Sequence, residues 1–332
     1  MYLNNYLTKN TTNNLKAVAI ILVILGHLGF INRSGAWGVG IFLLLSGYGL
    51  TQSYVKSGII GFFKKRLLAV ILPYSTVMLI WIFVDFILGN KYSISTIATS
   101  ILGVNFKSVI DVTMWYIPFL ILWYIIFFLT FKSLKNNYFK IITMFIFSCI
   151  IYYYVYKLFD QNVGVRLYTL LFPIGVLLGF LFSKELNISE KMLKSTLGHI
   201  IIFSFILFEI SLNRSNDYRY YTLSIIMFSV MIISIFMIMQ NFESKILSFI
   251  GNISFELYLF EGVFINKYNF IFECINNKFL SVVTYFILIF VLSSIYHNIV
   301  KYINEHSDVY LFEIIKQFNY KLRVISLSRM IK

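Results

Sequence analysis

Long apolar runs separated by short polar segments alternate along this chain. They fall near 15–32, 37–55, 67–89, 113–131, 139–157, 167–183, 197–212, 220–240, 250–266 and 279–300. A helix that crosses a bilayer needs about 20 mostly apolar residues, and these runs reach or approach that length. The pattern predicts an all-α fold, a polytopic membrane helix bundle of about ten transmembrane helices. The ninth run is the weakest, because Glu256 and Glu261 interrupt it. A shorter, partly apolar piece at 93–106 reads as re-entrant or interfacial. Phe62, Phe63, Lys64, Lys65 and Arg66 read as an amphipathic lead-in to the third helix. There is no internal repeat and no Pro/Gly/Ser-rich linker. Residues 1–300 therefore read as one membrane domain, and 301–332 as a basic cytoplasmic tail lying on the membrane face.

Composition removes the soluble alternatives. Hydrophobic residues make up 59% of the chain and charged residues 13%, against about 25% charged in an ordinary soluble domain. The net charge of +14 would suggest nucleic acid in a soluble protein. Here the charges sit between apolar runs and set topology, so membrane lipids are expected as neighbours and nucleic acid is not. With the N-terminus inside, 19 of the 28 Lys and Arg fall on inner segments and 9 on outer ones. Leaving out the tail, the split is 13 to 9. Basic residues favour the cytoplasmic side, which predicts both termini inside a multi-pass cell-membrane protein. Cys149 and Cys274 are the only cysteines; without a CxxC or Cys/His spacing they predict neither a disulfide framework nor a metal site. The first apolar run has no small-residue cleavage site and leads straight into a second, so no cleavable signal peptide is expected.

Ionisable groups at membrane depth are expensive, and each is a functional candidate. They are His27, Asp85, Glu209, Glu256, Glu261 and His297. Asp85 and Glu209 stand near run ends and are expected to reach water; His297 reads as interfacial. His27 stands in a stretch from Ala17 to Ile31 with no other ionisable side chain. Lys16 lies eleven residues earlier. Three helical turns take about 10.8 residues, so the two share a face, separated by roughly 16 Å along the axis. Either they bind two ends of one elongated ligand, or His27 is bonded to a neighbouring helix carbonyl; spacing does not choose. Gly38, Gly40 and Gly47 read as sites of close helix packing, not as a phosphate loop. Ser46 has no histidine or acid at a local spacing and is not read as a nucleophile.

Five segments together resemble the membrane acyltransferase-3 family. Lys16 and His27 match its basic residue, ten residues, then His. Gly40-Ile41-Phe42-Leu43-Leu44-Leu45-Ser46-Gly47-Tyr48 is similar to its Phe-Phe-x-x-Ser-Gly stretch. Phe62 to Leu68, running on to Pro73-Tyr74, looks like its Arg-rich segment ending in Pro. Met114-Trp115-Tyr116-Ile117 matches its Trp-Tyr/Phe-Leu segment, and Gly251 to Glu261 its late Ser-Tyr-x-x-Tyr-Leu-x-His. Order and rough spacing agree from residue 13 to about 300. The chain departs at four positions: Lys16 stands for the usual Arg, Asn13 for a frequent Asp, Ala69 for a second Arg, and Glu261 for the late His. Lysine keeps the charge but loses the planar fork.

The resemblance implies acyl transfer, with acetyl the commonest group, from cytoplasmic acyl-CoA to a hydroxyl of a cell-surface or lipid-linked glycan. It implies a donor substrate rather than a permanently bound cofactor. His27 would be the catalytic base, since imidazole titrates near neutral pH. Lys16 and Arg66 would hold the anionic nucleotide end of acyl-CoA, and the distance from Lys16 to His27 suits a pantetheine arm. Trp115, Tyr116, Glu256 and Glu261 would contact the sugar, with one of the two carboxylates orienting His27 instead. The competing expectation is a non-enzymatic membrane protein such as a lipid-linked glycan transporter. That class usually shows repeats or broken helices in corresponding positions, and the sequence displays neither.

Overall fold

The computed structural model describes residues 6–159, 164–185, 189–239 and 242–330, with side chains described as far as residue 306. The tail's Lys316, Lys321, Arg323 and Arg329 lie beyond the described side chains, and Lys332 lies outside the described residues. Every regular element among the described residues is helical. The helices are α1 (Lys9–His27), α2 (Ser34–Ser57), α3 (Phe62–Arg66), α4 (Leu72–Ile87), α5 (Ile94–Ile101), α6 (Tyr116–Ser133) and α7 (Asn137–Tyr153). They continue as α8 (Leu171–Phe182), α9 (Glu190–Asn213), α10 (Tyr218–Ile238), α11 (Lys245–Asn252), α12 (Ser254–Asn266), α13 (Phe270–Cys274) and α14 (Lys278–Met330).

Each of the ten apolar runs carries a helix, and among the described residues seven are long and apolar enough to cross a membrane. The other three depart for identifiable reasons. The first half of α1 is polar, with Asn10, Thr11, Thr12, Asn13 and Asn14 in succession. α7 is 17 residues long. The ninth run is not one straight helix: α11 and α12 meet at a 70° bend around Ile253. The expectation of no broken helix is corrected there, although this is the one such pair found among the described residues. The piece at 93–106 forms the two-turn helix α5.

The lead-in at Phe62 continues through a π-helical turn, Leu67–Ile71, into α4. Pro73 sits in the first turn of α4, where its missing N–H and its ring oppose a regular α ladder. The wider turn takes up the mismatch, as single π turns do. Phe62 anchors the lead-in, packing on Phe127 and Phe128 of α6 with ring centroids 5.8 Å away in each case.

Layering follows burial. In α2, the Val112–Ser133 helix and the Val165–Phe182 helix, 61–67% of the most apolar window is buried, whereas in α9, α10, α14 and Phe62–Ile87 the share is 22–33%. The first set forms the centre, and the second turns apolar surface outward as a lipid-facing ring must. α2 and α8 approach so closely that only glycine fits at two facing positions. A Cβ on Gly47 would lie 2.2 Å from the Phe172 carbonyl oxygen, and one on Gly175 would lie 2.1 Å from that of Leu44. Small residues are the usual means of such approach between membrane helices. Gly47→Ala or Gly175→Ala is therefore expected to destabilise the protein by about 1–3 kcal/mol, the range for overpacking. Thermal unfolding in detergent measures this; an unchanged midpoint would mean that the two helices can separate freely.

Candidate functional site

The end of α1 is fixed by its chain reversal. Phe30 N–H bonds to the Leu25 carbonyl at 3.0 Å and Gly29 N–H to that of Gly26 at 3.1 Å. Gly29 adopts φ +73°, so the helix closes in a Schellman motif. His27 is thereby the last residue of α1. The apolar run itself extends to residue 32; the left-handed glycine stops the helix earlier.

The imidazole does not meet a helix carbonyl. Its Nδ1 lies 2.9 Å from both Oε1 and Oε2 of Glu261 on α12. Glu261 is fully buried, and the Tyr285 hydroxyl donates to its carbonyl oxygen at 3.1 Å. The following residue, Gly262, lets α12 press against the turn that precedes α6: a Cβ there would lie 2.3 Å from Thr113 Oγ1. The Tyr258 hydroxyl donates to the Thr113 carbonyl at 2.6 Å. Since an ionised carboxylate only accepts, the pairing puts a ring proton on Nδ1, and in the neutral imidazole Nε2 then carries the lone pair. The His27 side chain is 32% exposed, and its exposed part faces a cavity of about 720 Å³ that it lines together with Trp115, Tyr116 and Tyr258.

A second cavity, of about 400 Å³, lies toward the other end of α1. Lys16 and Arg66 line it, with Ser46, Tyr116, Tyr124 and Asn252. Arg66 stands 5.8 Å from the centroid of the Tyr124 ring. The Asn13 amide donates to Asn252 Oδ1 at 2.7 Å, tying α1 to α11 beside this cavity. Ser46 Oγ donates to the Phe42 carbonyl within its own helix, consistent with a packing role. Val23, Val39, Tyr116 and Tyr258 line both cavities. The two therefore adjoin across shared side chains, with Lys16 and Arg66 on one side and His27, Arg33 and Lys107 on the other.

The remaining candidates divide. Trp115 and Tyr116 line the His27 cavity. Glu261 stands behind the imidazole, buried, and lines neither cavity. Glu256 lines neither cavity: its Oε1 lies 2.8 Å from His297 Nδ1, so the expectation that it could orient His27 is corrected. His297 is accordingly a paired histidine and not a free interfacial one. Lys64 and Lys65 are exposed and do not line the 400 Å³ cavity. Glu209 is exposed on α9. Asp85, expected to reach water, is fully buried. It pairs with Lys267 and accepts from the hydroxyls of Tyr92 at 2.8 Å and Tyr268 at 2.7 Å.

One residue near the site escaped sequence reading. Asp111, in the loop before α6, accepts from Thr113 N–H at 2.9 Å and Oγ1 at 2.7 Å through Oδ1. Its Oδ2 is buried without a partner. Burial pushes this carboxyl above the usual carboxylate range; the Thr113 donors oppose the shift and the nearby negative charge of Glu261 adds to it. The residue lies in a short polar stretch outside every apolar run, where an aspartate looks like ordinary loop polarity.

Residues 11–298 match the sequence model of a family described as an acyltransferase domain. No curated protein and no solved structure matches the chain.

Proposed function

The chain belongs to this acyltransferase-domain family, and from that premise we propose that it transfers an acyl group, acetyl by preference, from cytoplasmic acyl-CoA to a hydroxyl of a cell-surface or lipid-linked glycan. The observation that carries this reading is the pair of adjoining cavities, with Lys16 and Arg66 in one and a carboxylate-held imidazole in the other. In this reading ten helices cross the cell membrane, with α1, α7 and the bent α11–α12 pair each counting as one crossing, and both termini are cytoplasmic. The bias of 19 to 9 basic residues supports that orientation.

Lys16 and Arg66 hold the phosphates of the donor, as cations near a confined anion do. The pantetheine arm runs past Tyr116 and Tyr258 and brings the thioester to His27. A glycan hydroxyl then attacks the thioester carbonyl while His27 Nε2 takes its proton. The new C–O bond forms and the C–S bond breaks. The proton passes from the imidazolium to the departing thiolate, and free CoA leaves as the thiol. Glu261 stabilises the imidazolium while it exists. Trp115 and Tyr116 form the apolar wall for the sugar.

Purified protein in vesicles, given acetyl-CoA and a glycan acceptor, is expected to release CoA thiol in step with ester formation. No acceptor-dependent thiol release from properly folded protein would overturn the reading. Lys16→Ala is expected to raise the apparent KM for acyl-CoA about tenfold or more while kcat changes little. A hydrogen bond to a charged group contributes about 1.5–3 kcal/mol, and here it is made equally in ground and transition states. An unchanged KM would take Lys16 out of the donor site.

A further inference from the structure

The cavity at His27 carries a charge that the transfer step does not use. Arg33 and Lys107 both line it, and no aspartate or glutamate does. Among the described residues neither cation makes an ion pair; Arg33 only faces the Tyr221 ring, 5.3 Å from its centroid. Arg33 also holds a left-handed backbone, φ +67°, a conformation that suits glycine and disfavours a branched L residue. Backbone strain of this kind clusters at binding and active sites. A neutral sugar needs hydroxyl partners and a stacking face, which Trp115, Tyr168 and Asn266 of the same cavity can supply. Arg33 is half-buried and Lys107 exposed; two unpaired cations on one cavity raise the local concentration of anions there, and a neutral acceptor makes no use of that. They also lie beyond His27 from Lys16 and Arg66, so the donor's phosphates already have cations of their own.

We propose that the acceptor is an anionic glycan, bearing phosphodiester or carboxylate groups. Its negative group lies between Arg33 and Lys107, which places a neighbouring hydroxyl at His27 Nε2. This rests on the acyl-transfer reading for the hydroxyl's role, but the charge selectivity is measurable without turnover.

The experiment uses full-length protein in zwitterionic nanodiscs, which hold the lipid headgroup constant. It compares wild type with an Arg33→Gly/Lys107→Gln variant; glycine fits the left-handed backbone, so this change does not threaten the fold. Calorimetry without acyl-CoA gives Kd for three matched oligosaccharides: neutral, carboxylate-bearing and phosphodiester-bearing. Turnover with acetyl-CoA gives KM and kcat for each. The expected result is at least tenfold tighter binding of one anionic probe over the neutral one, with that ratio falling to about one in the variant. The two anionic probes distinguish a phosphodiester acceptor from a carboxylate one. Arg33→Lys, alone, is expected to retain most of the preference. Equal Kd values for all probes, a preference that survives in the variant, or a variant whose main change is a higher KM for acyl-CoA would each overturn the proposal. Charge-selective binding without any ester formation would sustain it and overturn the acyl-transfer reading instead.

Discussion

Replacing His27 with alanine is expected to lower kcat for acyl transfer by about 10²–10⁴, the usual contribution of a positioned general base. The KM for acyl-CoA should change little. A sugar hydroxyl is a weak nucleophile, and among the described residues lining the His27 cavity no other side chain is a comparable base near neutral pH. Lys16 and Arg66 lie in the adjoining cavity and are untouched by the change. The alanine variant has a second consequence. Glu261 is fully buried, and removing its partner leaves a carboxylate to face the cavity alone. Breaking a buried pair in this way costs about 3–5 kcal/mol where water cannot enter; here the vacated volume joins a 720 Å³ cavity, so the loss should be smaller. His27→Gln separates the two effects, because its amide can still donate to Glu261 while offering no basic nitrogen. Both variants should therefore lose turnover, and the glutamine variant should keep the wild-type unfolding midpoint. Normal ester formation by either, with donor binding intact, would remove His27 as the base.

Much of this architecture is written in local chemistry. Every apolar run carries helix, and among the described residues seven helices are long and apolar enough to cross a membrane, because hydropathy over 20 residues is a sum that no single contact can reverse. The boundaries were less legible. The first helix stops at His27 because Gly29 turns left-handed, and the ninth bends at Ile253 because α11 packs against α1 through Asn13 and Asn252. The first is a local glycine signal hidden inside an apolar run; the second depends on what lies beside the segment. The same limit governed the charged residues. His27 and Lys16 were recognisable because both lie on one helix, where a period of 3.6 fixes their relation. Glu261 is 234 residues away from His27, Lys267 is 182 from Asp85, and His297 is 41 from Glu256. Nothing local says which carboxylate meets which cation. Sequence reading consequently left Glu256 and Glu261 interchangeable, whereas five residues along α12 turn one toward His297 and the other toward His27.

Glu261→Gln provides the sharpest test of that assignment, since shape and burial are preserved and only the charge is lost. In the native pair the carboxylate accepts from Nδ1–H, which leaves Nε2 free to take the hydroxyl proton, and it offsets the positive charge that appears on the ring during attack. A glutamine amide can instead donate to Nδ1, which puts the proton on Nε2 and leaves no lone pair facing the cavity. It also offers no countercharge to the imidazolium. Carboxylate removal from a histidine base elsewhere costs on the order of 10⁴ in kcat, and a fall of about 10²–10⁴ is expected here, again with little change in the KM for acyl-CoA. Because Glu261 acts through His27, loss of rate alone would not distinguish orientation from a packing defect. The ring ¹⁵N shifts of His27 would distinguish them: wild type should show hydrogen on Nδ1, and the glutamine variant a substantial population with hydrogen on Nε2. Glu261→Asp keeps the charge but withdraws it by one methylene, so it should retain the Nδ1–H tautomer and recover part of the rate. If the glutamine variant turned over normally with an unchanged tautomer, the contact between α1 and α12 would be a structural clamp, and the base would have to be activated by some other group.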